Sequence, residues 1–219
     1  IDKFESINSD FATAIQWLRQ SNAFAVKMIL NSQIVLTDAS DVLYICEQSL
    51  SSGDVKNFGA VYTPRYIVEE ILRTTLGELP TTDWTQDLVF DPCCGAGNFL
   101  FSAIQYVSEH LGVSLSDASA YVAGMDIDPK AVRNAQLAID AMCYQACGAA
   151  SQARLVVGDA AIGLIPEQLD ALNASDGFAV IATNPPYVKL QTLTEEYRLS
   201  IENENREIVR GSYSLATVI

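Results

Sequence analysis

The spacing of apolar residues along this chain changes from a helical pattern to an alternation of short apolar runs and helices. In residues 1–57, apolar side chains such as Phe11, Ile15 and Leu18 recur three or four positions apart, which predicts helices. From residue 58 onward, short apolar runs are separated by stretches with helical periodicity. Buried strands are predicted at Leu88–Phe90, Tyr121–Met125, Arg154–Val157 and Phe178–Ala182.

Capping and turn residues mark the helices between these runs. A helix is predicted to begin at Thr63-Pro64, with Thr63 as its cap and Pro64 in its first turn. Gly112 is expected to end the helix that follows the first predicted strand and its glycine-containing turn. Asp128-Pro129 is expected to cap another helix that runs to about Cys147. Strands separated by helices imply right-handed crossovers and a mostly parallel sheet, so the predicted fold class is α/β.

Composition places the chain among globular proteins. It has 219 residues, of which 49% are hydrophobic and 18% charged. No apolar run approaches the roughly 18 to 20 residues that span a bilayer, so we expect no membrane partner and a cytoplasmic location. Five cysteines without a CxxC pair, together with the single histidine His110, predict no metal site. Cys143 and Cys147 fit a metal or redox pair less well than small core residues.

The net charge of −14, from 13 basic and 27 acidic residues, is unfavourable for a protein that binds nucleic acid. Much of the affinity for DNA comes from basic residues that displace counterions from phosphates. Either the substrate is not a nucleic acid, or the DNA-binding surface lies outside these residues. The motifs described below favour the second interpretation.

The first predicted strand leads into the turn Asp91-Pro92-Cys93-Cys94-Gly95-Ala96-Gly97. Its glycines allow the backbone to approach a ligand closely, and the following helix offers free amide groups. Leu100 stands where a dinucleotide fingerprint has its third glycine, which disfavours a nicotinamide enzyme. Asp91, at the strand end, is placed to attract a cation such as the ammonium group of a bound amino acid.

Acidic residues also end the next two strands. Asp126 can accept hydrogen bonds from both hydroxyls of an adenosine ribose, and the neighbouring Ile127 can lie against the adenine ring. Asp159, after the third strand, can accept a bond from the adenine amine. Any one of these aspartates alone is equally well explained as a loop or capping residue, and Asp128 is predicted to be a helix cap. Their shared position at successive strand ends favours a cofactor site.

Asn184-Pro185-Pro186-Tyr187 follows the fourth strand, and with it the sequence resembles the amino-methylating DNA methyltransferases. Within them it is most similar to the adenine-specific branch, found in restriction-modification enzymes of the Type I modification subunit and Type IIG kinds. The segment 58–64 is similar to the leading segment of that branch, and a weaker similarity returns at residues 211–215. Ser214 stands where relatives usually carry Asp or Asn, so its role is left unassigned.

The resemblance implies a Rossmann-like methyltransferase sheet, S-adenosyl-L-methionine as cofactor, and double-stranded DNA with a flipped adenine as substrate. Specificity or restriction subunits are further expected partners. By resemblance Thr63 would hold the carboxylate of the cofactor. The residues expected to bind the cofactor are Thr63, Asp91, Pro92, Gly95, Gly97, Asp126, Ile127, Asp159 and Ala160, and those expected to be catalytic are Asn184, Pro185, Pro186 and Tyr187.

Adenine chemistry gives this tetrapeptide a specific task. The adenine amine is a poor nucleophile because its lone pair is delocalised into the ring. The side-chain oxygen of Asn184 and the carbonyl of Pro185 can accept hydrogen bonds from its two N–H groups and so direct the lone pair at the methyl group. Prolines hold these acceptors in place before the reaction, and Tyr187 offers a ring on which a flipped base can stack.

Three alternatives remain at this stage. Methyltransferases of release-factor glutamine and of ribosomal RNA guanine amines share Asn-Pro-Pro-Tyr, although Tyr62-Thr63-Pro64 ahead of the glycine turn is typical of the DNA enzymes. A non-catalytic cofactor-binding subunit of a larger complex is the third. We predict a helical segment at 1–57 and the N-terminal part of a catalytic domain at 58–219, with an incomplete sheet and no target-recognition domain.

Overall fold

The computed structural model describes residues 38–51, 63–173, 177–188, 192–207 and 214–219. The predicted helices before residue 38, the segment 58–62 and residues 211–213 lie outside these ranges. The helices are α1 (Ala39–Ser51), α2 (Arg65–Gly77), α3 (Asn98–Leu111), α4 (Leu115–Ala118), α5 (Pro129–Cys147), α6 (Pro166–Leu172) and α7 (Glu195–Glu204). The strands are β1 (Val89–Asp91), β2 (Val122–Asp126), β3 (Arg154–Val157) and β4 (Val180–Ile181).

The four strands form a parallel sheet in the order β3-β2-β1-β4. Val89 of β1 pairs with Val122 of β2 on one side and with Val180 of β4 on the other. Each predicted strand is present. β3 has the predicted bounds, and the ends of the other three are moved by one or two residues. The sheet and its helices confirm the predicted α/β, Rossmann-like fold class.

Both faces of the sheet are covered, because successive side chains of a strand point to opposite sides. Val89 and Val122 belong to the larger core, which α1, α2, α3 and α5 also build. Phe90 and Ala123, the next residues along each strand, pack with Leu172 of α6 in a smaller core on the other face. Continuous apolar runs such as Leu88-Val89-Phe90 are therefore what a doubly covered parallel strand requires.

The ends of the long helices follow the turn chemistry read from the sequence, with one exception. Gly112 ends α3 in a left-handed conformation with φ of 65°, and the Asp128 side chain caps α5 by accepting a bond from the Lys130 amide. At α2 the prediction is wrong. Pro64 is the capping residue, and its ring cannot accept a hydrogen bond. The hydroxyl of Thr63, the predicted cap, contacts a side chain far along the chain instead.

Helix α1 is attached to α5 by polar contacts as well as by its apolar face. The Nδ2 of Asn134 donates to the carbonyl of Cys46 at 3.0 Å and to the Ser49 hydroxyl at 2.8 Å. Asn134 is buried, so these bonds lie in a medium that strengthens them and makes an unpaired amide costly. The last turn of α1 is thereby fixed against the core.

The prediction that Cys143 and Cys147 are core residues holds for only one of them. Cys143 is buried within α5, whereas Cys147 in the last turn is exposed, and both thiols are free. Among the described residues, no group of three or more His, Cys, Asp or Glu side chains could hold a metal ion. In the same part of the chain, every helix is too short or too polar to cross a bilayer.

Candidate cofactor and catalytic site

The predicted site residues gather at the carboxyl edge of the sheet. Asp91 is the last residue of β1 and Asp126 the last of β2, and these two strands are neighbours. Asp159 follows β3 by two residues and Asn184 follows β4 by three. Because the strands are parallel, all four polar residues reach the same edge, where open α/β sheets bind ligands.

Asp91 is enclosed at the centre of this edge, with only 1% of its surface exposed. Burial raises the pKa of its carboxyl to about 7, and the nearby Asp126 adds to the rise. The nearby Thr183 hydroxyl and the Cys93 amide, which donates to Oδ1 at 3.1 Å, act in the opposite direction. None of the ion pairs among the described residues includes Asp91. A cation next to this carboxylate would therefore be strongly favoured.

The glycine turn owes its sequence mainly to backbone conformation and packing. Gly95 and Gly97 have φ of 54° and 93°, in the left-handed region of backbone conformation that residues other than glycine rarely adopt. A Cβ on Gly97 would also lie 3.0 Å from the Cβ of Ala135 on α5. Gly97 thus permits close packing of helices, while Gly95 faces open space. Pro92, between β1 and these glycines, is buried.

Asp126 is tied to the same turn. Its Oδ2 accepts a bond from the Gly95 amide at 2.9 Å, and its Oδ1 accepts one from the Asp128 amide at 2.9 Å. Each carboxylate oxygen has a second lone pair, so two further bonds from ribose hydroxyls fit. Burial raises the pKa of Asp126 despite these two bonds. The neighbouring Ile127 is 54% exposed and offers an apolar surface beside the carboxylate.

Asp159 has partners that the sequence did not reveal. Its Oδ1 accepts a bond from the Ala161 amide at 2.9 Å, and the Tyr197 side chain of α7 lies close to its carboxylate. Burial, followed by the proximity of Asp159, raises the pKa of Tyr197. Tyr197 carried no motif in the sequence, so its approach to the site could only come from the structure. Ala160, half-buried, lies beside Asp159.

The predicted catalytic tetrapeptide begins as the β4 pairing ends, where the Ala182 amide donates to the Phe90 carbonyl at 3.0 Å. The Nδ2 of Asn184 donates to the Thr63 hydroxyl at 2.9 Å. Pro185 and Pro186 are half-buried, and Tyr187 is 65% exposed. The structure thus places a rigid loop with an accessible ring beside the cofactor edge.

Two further residues near the tetrapeptide complete the picture. Asn98, the first residue of α3, donates from Nδ2 to the carbonyl of Thr63 at 2.7 Å. Sequence reasoning did not assign it, although an amide inside the otherwise apolar stretch after Gly97 was a usable signal. Ser214 lies near the tetrapeptide, since the amide of the next residue, Leu215, donates to the Val188 carbonyl at 3.0 Å.

The residues at this edge fit a cationic, adenosine-bearing cofactor. The Asp91 carboxylate suits an ammonium group, and the buried Oδ1 of Asn98 has no hydrogen-bond partner in the described part of the chain. Asp126 and Ile127 provide a polar and an apolar surface side by side, as a ribose and its adenine require. The fold is that of a Rossmann-like methyltransferase domain, and these strand-end residues are the ones predicted to bind its cofactor.

Comparison with protein families agrees with this assignment. The model of the family described as N-6 DNA Methylase matches residues 44–208. The chain belongs to this family. The comparison with curated proteins returned no match.

Solved structures with the same fold include two restriction enzymes and a methyltransferase. The type IIG restriction endonuclease BpuSI is 16% identical, with a TM-score of 0.54 over 81% of this chain and 19% of its own. A structure described as a class I S-adenosylmethionine-dependent methyltransferase from Listeria monocytogenes is 13% identical, with a TM-score of 0.52 over 94% of this chain and 57% of its own. The ATP-dependent Type ISP restriction-modification enzyme LlaBIII, bound to DNA, is 17% identical, with a TM-score of 0.52. The match covers 84% of this chain and 16% of LlaBIII. This chain therefore spans well under two thirds of each of these proteins.

Proposed function

We propose that this chain is the cofactor-binding and catalytic part of an enzyme that methylates the exocyclic amine of adenine in DNA. The observation that carries the proposal is the position of Asn184 after β4, beside a strand edge whose carboxylates suit a cationic cofactor. Membership of the N-6 DNA methylase family supports the same chemistry. The proposed cofactor is S-adenosyl-L-methionine, which supplies an electrophilic methyl group on a sulfonium when bound.

Five residues divide the binding of this cofactor among them in the proposal. Asp91 binds the ammonium group of the cofactor, and the Thr63 hydroxyl donates a hydrogen bond to the cofactor carboxylate. Asp126 accepts bonds from the ribose hydroxyls, and Ile127 covers one face of the adenine. Asp159, close to the Tyr197 side chain, accepts a bond from the adenine amine. Pro92, Gly95, Gly97 and Ala160 shape the walls of the same site.

Catalysis in this proposal depends on acceptors and needs no strong base. The Oδ1 of Asn184 and the carbonyl of Pro185 accept hydrogen bonds from the two N–H groups of the target amine, which stabilises the charge that develops on nitrogen. Pro185 and Pro186 restrict the backbone, so little reorganisation is needed when the base arrives. The exposed ring of Tyr187 stacks on a base rotated out of the duplex.

The proposed biological setting is a restriction-modification system in the cytoplasm, with double-stranded DNA as substrate and specificity or restriction subunits as partners. BpuSI and LlaBIII, which share the fold, are restriction enzymes by description. The net charge of −14 means that the described strand edge offers little attraction for phosphates. In the proposal, other surfaces of the enzyme hold the DNA backbone.

Substitution of Asn184 tests the proposal. In the full-length enzyme, Asn184→Ala should reduce turnover by about 100-fold or more, the scale seen when one preorganised polar group is lost. Cofactor affinity should stay within a few-fold, because the interaction is made chiefly in the transition state. The measurement is transfer of a tritiated methyl group to unmethylated duplex DNA, followed by nucleoside analysis.

Each rival activity predicts a different product in this assay. Label on cytosine, on guanine of RNA or on a protein glutamine would replace the proposed substrate. Full activity of Asn184→Ala would remove the proposed mechanism. Absence of transfer by the wild-type enzyme to any of these substrates would favour a non-catalytic cofactor-binding subunit.

A further inference from the structure

The contact between Thr63 and Asn184 joins two segments that are 121 residues apart in the sequence. Asn184 follows the edge strand β4, whereas Thr63 immediately precedes the helix α2. The Nδ2 of Asn184 donates to the Thr63 hydroxyl at 2.9 Å, which is normal hydrogen-bond length. A residue outside the tetrapeptide therefore fixes the side chain of the proposed catalytic amide.

Thr63 is itself held in place through its backbone. Its carbonyl accepts a bond from the Nδ2 of Asn98 at 2.7 Å, and Asn98 is only 9% exposed. The next residue is Pro64, whose ring restricts the chain between Thr63 and α2. The hydroxyl of Thr63 thus stands on a rigid support that includes the first turn of α3, directly after the glycine turn.

Because the side-chain amide of Asn184 is planar, its hydrogen bond to Thr63 also determines which way the amide oxygen points. The Nδ2 and Oδ1 atoms lie on opposite sides of the amide group, so an Nδ2 directed at Thr63 places Oδ1 on the far side. A half-turn of the amide would exchange the two atoms and offer a donor where the target amine needs an acceptor. Thr63 accepts from Nδ2, and its single proton remains for another acceptor. While that proton is donated elsewhere, only Nδ2 can face the hydroxyl.

We propose that Thr63 is a positioning residue that orients the amide of Asn184, with Asn98 as its support. This inference rests on the proposed function of Asn184. The Thr63 hydroxyl stabilises the orientation of the Asn184 amide that catalysis requires. This effect is strongest when the proton of Thr63 is donated to an anionic group of the cofactor. Occupation of the cofactor site would then prepare the catalytic loop for the base.

The test compares Thr63→Val, which keeps the shape and removes the hydroxyl, with Thr63→Ser, which keeps the hydroxyl. Thr74→Val is the matched control, because Thr74 is an exposed threonine of α2 whose hydroxyl donates only to the Glu70 carbonyl. All variants are made in the full-length enzyme. The single-turnover rate of methyl transfer is measured at saturating cofactor and DNA, and cofactor affinity is measured separately by calorimetry.

We expect Thr63→Val to lower the saturated rate about tenfold, the effect of losing one hydrogen bond in the transition state. Thr63→Ser should restore most of the rate, and Thr74→Val should match the wild type. In an Asn184→Ala background, Thr63→Val should cause no further loss of rate. A purely structural role would lower the rate in both backgrounds, so this non-additivity is the specific signature.

Two results would overturn the inference. One is an equal loss of rate from Thr63→Val with and without Asn184. The other is an unchanged saturated rate with weaker cofactor affinity alone, which would make Thr63 a cofactor ligand and nothing more. Failure of the proposed function is distinguishable, because the wild-type enzyme would then transfer no methyl group to adenine or Asn184→Ala would be fully active.

Discussion

Asp91 should lose a proton when a cationic cofactor binds. In the free domain, burial raises the pKa of this carboxyl to about 7, so much of the protein carries a neutral Asp91 near neutral pH. An ammonium group beside the carboxylate favours its charged form and should lower this pKa. Binding and deprotonation of Asp91 are then coupled, and the coupling is measurable.

The size of the coupling follows from the two states of Asp91. With a pKa of about 7 in the free domain, binding at pH 6 should release up to about 0.9 proton. At pH 7 the release should be up to about 0.5 proton, and the affinity should rise by up to about 50-fold between pH 5 and pH 7. The affinity therefore increases with pH in this range.

In the free domain, the raised pKa of Asp91 makes folding stability fall with increasing pH, whereas cofactor affinity rises. The carboxyl holds its proton to about pH 7 when folded, but only to its ordinary value of 3.8 when unfolded. The contribution of Asp91 to stability is therefore fully present below about pH 3.8 and is lost as the pH rises through about 7. A bound cation should reverse this loss, so the gain in melting temperature on binding should be larger at pH 7 than at pH 5.

Calorimetry of the full-length protein in buffers with different ionisation enthalpies measures the released proton directly. Asp91→Asn is the main control, since it removes the titrating group and should abolish both the release and the pH dependence. Asp126→Asn is a second control, because burial raises the pKa of Asp126 as well. Tight binding at pH 6 without proton release, or undiminished release by Asp91→Asn, would refute the role of Asp91.

Three further substitutions test other parts of the molecule. Asp126→Ala should weaken cofactor binding by about 1.5 to 3 kcal/mol, and an unchanged affinity by calorimetry would mean that the ribose binds elsewhere. Arg154→Met removes bonds to the Asp87 carboxylate at 2.8 Å and to the Leu172 carbonyl at 2.6 Å. It should lower the free energy of unfolding in urea by about 1 to 3 kcal/mol, and a loss below about 0.5 kcal/mol would contradict this. Tyr187→Ala should weaken DNA binding by about 1 to 3 kcal/mol and slow turnover, whereas Tyr187→Phe should retain both if stacking is the cause.

The sheet and its functional edge were predictable because they depend on local signals. Strands buried on both faces read as short continuous apolar runs, and Leu88-Val89-Phe90 is such a run. Parallel pairing then brings the last residue of each strand to one edge, so Asp91 and Asp126 were expected at the same edge, while their adjacency comes from the observed strand order. Caps were predictable where the signal is a side chain bonding to nearby backbone, as at Asp128.

Contacts between distant segments could not be predicted in this way. Thr63 looked like a helix cap because its side chain can bond to backbone close by, yet its hydroxyl contacts Asn184 instead. Nothing in the periodicity of α7 indicated that Tyr197 reaches Asp159. The apolar pattern specifies which face of an element is buried, but not which polar side chain of another element it meets.

Charge separates the two ligands that the proposed reaction has to bring together. The carboxylates of Asp91 and Asp126 attract a cationic cofactor and repel phosphates, as does the net charge of −14. The base must therefore be recognised by neutral groups, which are the amide of Asn184, the carbonyl of Pro185 and the ring of Tyr187. The strand order keeps the two proposed binding regions apart. β1 lies between β2, which ends in Asp126, the proposed ribose ligand, and β4, which leads to the tetrapeptide. In the proposed reaction, the cofactor and the base would therefore meet near the carboxyl end of β1.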